Sequence, residues 1–498
     1  MACILGVESA DRSMESSDVV NLGVLGRFYS ARNVLGFYRT TSALTVTSYS
    51  TEGLSDPDSW FKNCFYRALY HTVEAHPSLC YGILDETKER EAVFLRLQTI
   101  HRDDVAEFYD QDPADPVAND VDLAIRTLLE KSHARMLLDG HRKPAWRAVV
   151  FKHGSRWDSG NNSKIQKVSI AFLANHAIAD GLSHVNFHRT LLHFFNDPET
   201  KDCVWPYNVS RDLRCPILLE DVVDLQSKDE NDKSEINYGS TSVWSGANMF
   251  LPSIEEYASG LRFITIPQDE IGRAVKFSRS RNITLTGLLH GLIVTFLARY
   301  VPAGHDFLAV TPYSMRHISK VSEDEICNHA SALVHEFSVP LVSEIRASSE
   351  KSLEELDKII EVGHIFSKDM AAELARSPKN NAWAGMFGVS DWYSQSRAQL
   401  GKKRPLTYEL SNFGNLKVLD PAKNPKDAVL KLERMLVSQC GSVTGPVFCC
   451  NCVSIAGGPM TMTLTWQKGS MEEQMIEDMA KHLESRLLTV FDEFVVKK

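Results

Sequence analysis

Apolar residues recur every three to four positions between Asp58 and Leu79, at Trp60, Phe61, Phe65, Leu69 and Val73, and predict an amphipathic helix. It is expected to stop at His76-Pro77, because proline disfavours helical backbone in the residue before it. EAVFLRLQTI reads as a strand, DVDLAIRTLLEKSHARML as a second amphipathic helix and PAWRAVVFKH as another strand. From Lys167 to His176 the pattern changes. Val168, Ile170, Phe172 and Ala174 share one face, and Ala171 and Leu173 share the other, so this strand is expected to be buried on both sides. After Gly181, LSHVNFHRTLLHFF returns to helical spacing and ends near Asn196-Asp197-Pro198.

The polar, acidic stretch from Asp224 to Ser242 has almost no apolar anchors and reads as an exposed crossover. Beyond it the order begins again. LRFITIP is a strand, a helix runs through NITLTGLLHGLIVTFLARY, FLAVTPYSMRH is a strand leading into a loop, and SLEELDKIIEVGHIFSKDMAAELA is a long amphipathic helix. PLTYELSNFGNLKV, VFCCNCVSIAGGPMTMTLTWQKG and EEQMIEDMAKHLESRLLTVF follow as strand, strand pair and helix, the helix opening on a capping box of Ser470 and Glu473. The halves match in element order without a residue-level repeat. The pattern therefore predicts two α/β sandwich domains, residues 1–223 and 247–498, joined by a linker over 224–246.

Composition narrows the class. A chain of 498 residues is too long for one ordinary core, and 43% hydrophobic with 24% charged residues is ordinary for a folded, soluble protein. Lys and Arg number 54 against 64 Asp and Glu, and no long basic run is present, which excludes nucleic acid as the expected partner. The cysteine cluster Cys449, Cys450 and Cys452 lacks the paired spacing of a zinc site, so buried free thiols and no metal are expected. The first residues lack the basic and apolar regions of a secretory signal, and nowhere do about 18 apolar residues run uninterrupted by charge. A cytoplasmic protein without a membrane span is expected, with the sequons at Asn161, Asn208 and Asn282 left unmodified. VVNLGVLGRFYSARNVLGFY and RLLTVFDEFVVKK are amphipathic enough to lie on a lipid surface, although core helices share that pattern.

Candidate chemistry centres on NHAIADGLSH, Asn175 to His184. His176 closes the apolar strand, Asp180 stands inside the following loop, and Gly181 gives the backbone freedom to turn into the helix. A histidine at a strand end is ordinarily a hydrogen-bonded core residue. Companions in order change that picture: PAWRAVV one strand earlier, TPYSMR placing Arg316 after a strand of the second half, and SNFGN over Ser411 to Asn415. No GxSxG elbow, P-loop or strand-linked GxGxxG is present, which excludes the serine-hydrolase and nucleotide-loop readings. His317, His329 and His335 lie near Arg316 in sequence, but HASALVHEF alternates like a strand, so packing or an acceptor pocket is expected of them, not metal binding.

On these motifs the chain resembles the alcohol O-acetyltransferase family, within the HxxxD acyltransferases that include chloramphenicol acetyltransferase, plant BAHD enzymes and peptide-synthetase condensation domains. The resemblance runs from GRFYSARNVLGFY, near Gly26, to the C-terminal helix. It implies a pseudo-dimer of two chloramphenicol-acetyltransferase-like domains with a tunnel at their interface. His176 matches the general base that deprotonates an acceptor hydroxyl as it attacks a thioester, and imidazole titrating near neutrality suits that task. Asp180 matches an aspartate that faces away and pairs with an arginine, for which Arg316 is the candidate, and Gly181 matches the glycine after it. Asn412 or the backbone at Gly414 could steady the oxyanion or contact the acceptor, although SNFGN departs from the plant DFGWG and a plain turn is the alternative. The implied reaction is acyl transfer from acyl-CoA, or from acyl-phosphopantetheine on an acyl carrier protein in polyketide offloading, to a small alcohol or natural product. No permanently bound cofactor is implied, and the protein is expected to act as a monomer.

Overall fold

The computed structural model describes residues 18–85, 91–110, 120–154, 156–157, 164–225, 242–379, 382–383, 386–418 and 428–495. Most of the acidic crossover, and the sequon at Asn161, lie outside them. Eleven strands among the described residues build two large sheets: β1 (Thr41–Ser50), β2 (Ala106–Asp110), β3 (Trp146–Lys152), β4 (Ile165–Ala174), β5 (Ser259–Ile266), β6 (Phe307–Ser314), β7 (Ala330–Phe337), β8 (Tyr408–Leu416), β9 (Lys431–Gln439), β10 (Phe448–Ile455) and β11 (Met460–Gln467). The first sheet runs β9-β1-β4-β3-β2 and the second β5-β11-β10-β8-β6-β7. The longer helices are α1 (Gly23–Val34), α2 (Pro57–Ala75), α3 (Val121–His133), α4 (Gly181–Asn196), α5 (Gln268–Ser280), α6 (Leu285–Tyr300), α7 (Leu353–Arg376) and α8 (Glu473–Val495).

Strand β4 is the axis of the first sheet, antiparallel to both β1 and β3. Val168, Ile170 and Phe172 join the large core beneath α2 and α4, while Ala171 and Leu173 join a second core with α3 and β5. Each large apolar side chain so buried contributes about 1.5–3 kcal/mol, which explains why neither face of this strand is polar. Helix α2 begins where Asp56 accepts from the Ser59 amide and Pro57 fills the first turn, and it stops before His76-Pro77.

Strand β9 comes from the second half of the chain yet pairs antiparallel with β1. The first sheet therefore takes one strand from the second half of the chain. Thr461 and Thr463 of β11 donate hydroxyl hydrogen bonds to the Met435 and Val437 carbonyls of β9, so the two sheets meet along this strand.

The structure departs from the sequence pattern at several points. The apolar stretch around Leu285 is preceded by a separate helix, α5, and the break falls at Asn282, whose φ of 56° is left-handed. Helix α8 begins at Glu473, and Ser470 donates its hydroxyl to the Val447 carbonyl, so the expected capping box does not form. Strand β1 escapes a hydropathy reading because threonines alternate along it; Thr41 and Thr47 cancel the cost of burial by donating to the carbonyls of Ala174 and Val168 on β4. Among the described residues no single helix is long and apolar enough to cross a membrane. The amphipathic segment at α1 uses Leu22, Leu25, Ala31 and Phe37 in core contacts.

Candidate active site

The loop from Asn175 to Asp180 leaves β4 and enters α4, and it is held from below. Asp180 caps α4: its Oδ1 accepts from the Ser183 amide at 2.9 Å and from the Ser183 hydroxyl at 2.8 Å. Arg316, which opens the short turn after β6, donates from Nη1 to Asp180 Oδ2 at 2.5 Å and from Nη2 to Oδ1 at 3.2 Å. The His329 amide adds a third partner at 3.1 Å to Oδ2. Both side chains are fully buried, at 3% and 1% exposure, so the pair is a lock between the two halves and not a surface contact. The Asp180 carboxylate is consumed by these donors, and its backbone carbonyl holds His184 Nδ1 at 2.8 Å.

Gly181 is required by a neighbour from the second half. A Cβ there would lie 1.8 Å from Cε1 of Phe413 in SNFGN. That segment bulges out of register between Asn412 and Asn415, and Gly414 adopts a φ of 74°. Asn412 Oδ1 accepts from the Gly414 amide at 2.9 Å while Asn412 Nδ2 donates to the Thr286 hydroxyl at 3.1 Å. The Gly414 amide is thus spent on the turn, and Asn412 keeps one amide hydrogen.

His176 sits at the strand end, half-buried, with its imidazole stacked on the Tyr29 ring at 4.1 Å between centroids and 5° between planes. Tyr38 flanks it at 5.9 Å. Asn328, from the second half, donates to the His176 carbonyl at 2.7 Å and lies 3.3 Å from Nδ1. Nε2 has no hydrogen bond among the described residues. Burial among these groups lowers the imidazole to about 4. Burial thus pulls His176 below the near-neutral value expected of it and favours the neutral, proton-accepting form.

The sequence did not point to Tyr29, Tyr38, Asn328 or Glu409 individually. Tyr29 lies inside the GRFYSARN motif, and Glu409 could have been found from strand alternation, since Tyr408 and Leu410 enter the helix-side core and leave Glu409 on the opposite face. Behind the loop lies a cavity of mixed lining, with Leu22, Leu25, Phe94 and Ile178 on one part of its wall and Ser78, Glu220 and Asn328 on another. The other histidines do not converge. His317 is exposed, His329 is held by Ser319 and the Ile217 carbonyl, and His335 stacks edge-on against His290 at 4.6 Å.

Residues 118–216, which span β3, β4 and the loop, match the family model for alcohol acetyltransferases. Over 502 aligned residues the chain is 24% identical to a probable alcohol acetyltransferase, FCK4, of Fusarium pseudograminearum, covering 95% of each. Among solved structures it is similar to the TRI3 trichothecene 15-O-acetyltransferase of Fusarium sporotrichioides, with a TM-score of 0.69 at 13% identity over 96% of this chain and 97% of that one. TRI101 of the same organism, solved with coenzyme A and T-2, gives 0.59 at 12% identity over 92% and 98%. The condensation domain of the monacolin K polyketide synthase MokA gives 0.56 at 11% identity over 95% and 98%. The two sheets with their helices form the two-domain pseudo-dimer of chloramphenicol-acetyltransferase-like proteins. In sequence and fold alike, the chain is an acyltransferase enzyme that resembles the alcohol acetyltransferases.

Proposed function

We propose that the protein transfers an acyl group from a CoA thioester to a hydroxyl of a small alcohol or natural product by direct attack, with His176 as the general base. The observation that carries this reading is an imidazole whose Nε2 has no hydrogen bond among the described residues while its ring is held by Tyr29 and its backbone by Asn328. With the proton on Nδ1, Nε2 takes the acceptor proton as oxygen attacks the thioester carbon. The same proton then passes to the departing thiolate, and no acyl-enzyme is formed. Asp180 and Arg316 hold the loop in shape and take no part in proton transfer. Asn412 offers its remaining amide hydrogen to the oxyanion, and the acceptor and donor meet in a tunnel between the two domains. Coenzyme A in the TRI101 structure supports the donor.

Thiol release from acetyl-CoA in the presence of an alcohol panel, with the ester identified by mass spectrometry, tests this reading. Ester formation matched to thiol release is expected. Release without ester would contradict it. The likeness to a polyketide-synthase condensation domain favours a second reading, in which the donor is an acyl chain on a carrier protein. Turnover with an acyl-loaded carrier but not with acyl-CoA would select it.

A further inference from the structure

The side of the second sheet that faces the first carries apolar residues, among them Leu261, Phe263, Val453 and Ile455, but also a row of polar ones. On β8, β10 and β11, the residues Leu410, Cys450, Cys452, Met462 and Leu464 enter the helix-side core. Their neighbours Glu409, Ser411, Asn451 and Thr463 point the other way, toward β9 and the His176 loop. A row of hydroxyl, amide and carboxyl groups between two sheets costs stability unless each group is paired, so it calls for a reason other than packing.

Glu409 is the member of this row whose pairing is incomplete. Its Oε1 accepts from Gln439 Nε2 at 2.7 Å and from the Ser411 hydroxyl at 3.0 Å. Gln439 Oε1 in turn accepts from the Tyr38 hydroxyl at 2.5 Å, and the Tyr38 ring stands beside His176. Gln439 and Tyr38 thus connect the carboxyl to the imidazole, and Gln439 with Ser411 fixes the carboxyl in one orientation. Its other oxygen, Oε2, has no hydrogen bond among the described residues, and the side chain is half-buried.

Two features define the group that Oε2 would meet. Burial raises the Glu409 carboxyl, and a hydroxyl can pair with either protonation state because it both donates and accepts. Arg32, buried to 8% exposure, has its guanidinium on the Ser442 hydroxyl and makes no carboxylate ion pair among the described residues. Its positive charge opposes protonation of His176, and it disfavours a second cation in the same space.

We infer that Glu409 selects the acceptor: Oε2 holds a second hydroxyl of the alcohol while His176 deprotonates the first, so the preferred acceptor is a neutral polyhydroxylated molecule and not a mono-alcohol or an amine. This rests on the acyl-transfer reading above. Glu409 binds the acceptor and takes no part in the proton transfer itself.

The test uses the full chain with acetyl-CoA and matched acceptors on one skeleton: cyclohexanol against cyclohexane-1,2-, 1,3- and 1,4-diol, and menthol against p-menthane-3,8-diol. For the wild type, kcat/KM is expected to favour at least one diol over its mono-alcohol by about tenfold, mainly through KM, as one buried hydrogen bond would give. Glu409→Leu should bring the diol-to-mono-alcohol ratio of kcat/KM close to one; because it also unpairs Gln439 and Ser411, the ratio and not the absolute rate is the readout. Glu409→Gln keeps a carbonyl oxygen for Gln439 and Ser411, guards against misfolding, and should retain part of the preference. Equal losses on diol and mono-alcohol, or no preference in the wild type, would overturn the assignment while leaving acyl transfer intact. Absence of ester with every alcohol would instead overturn acyl transfer itself and this assignment with it.

Discussion

His176 is neutral throughout the physiological range because burial lowers its imidazole to about 4. If it is the base, kcat/KM should be flat from about pH 8 down to about pH 6 and fall only as the pH approaches the folded value. An acid limb centred near 6.5 would mean that a solvated group, not this one, takes the proton. Asp180 and Arg316 make a different prediction. Both are buried and each is the other's charge partner, so Arg316→Ala leaves a buried carboxylate without its countercharge and should cost about 3–5 kcal/mol in denaturant unfolding. A loss below about 1 kcal/mol would place the pair among ordinary solvent-screened bridges.

At the scale of elements, the contact between α4 and the β8 bulge joins the two domains through Gly181 and Phe413. Gly181→Ala should destabilise by about 1–3 kcal/mol through overpacking, and Phe413→Leu in the same chain should recover part of that loss. Additive effects would show that the two positions do not touch. Much of this scale was legible in the sequence. Strand β4 announced itself through apolar residues on both faces, α2 through its spacing and proline stop, and the His176, Asp180 and Arg316 motifs through their order along the chain. Strands β1 and β9 were not legible. The threonines of β1 look polar until their hydroxyls are seen to bond β4, and β9 opens with Lys431, Glu433 and Arg434 before its buried stretch from Met435. Tyr29, Asn328 and Glu409 were hidden for another reason: what matters in them is a contact across a domain interface, and linear spacing carries no record of it.

For the molecule as a whole, the number of buried neutral histidines sets the response to acid. Burial lowers His133 to about 3 and His153, His188 and His335 to about 4, alongside His176. The unfolded chain binds protons at these positions below about 6.5 while the folded chain does not, so stability rises with pH across that window and is lost as the pH falls through it. The denaturant midpoint should therefore drop between pH 7 and pH 5. A midpoint unchanged over that interval would show that these groups are not held neutral. The most direct test of the central claim compares the wild type with His176→Ala in thiol release from acetyl-CoA with an alcohol acceptor, circular dichroism being run on both. A folded variant whose transfer rate is lower by about 10²–10⁴ is predicted, and a folded variant that transfers at the wild-type rate would contradict the account.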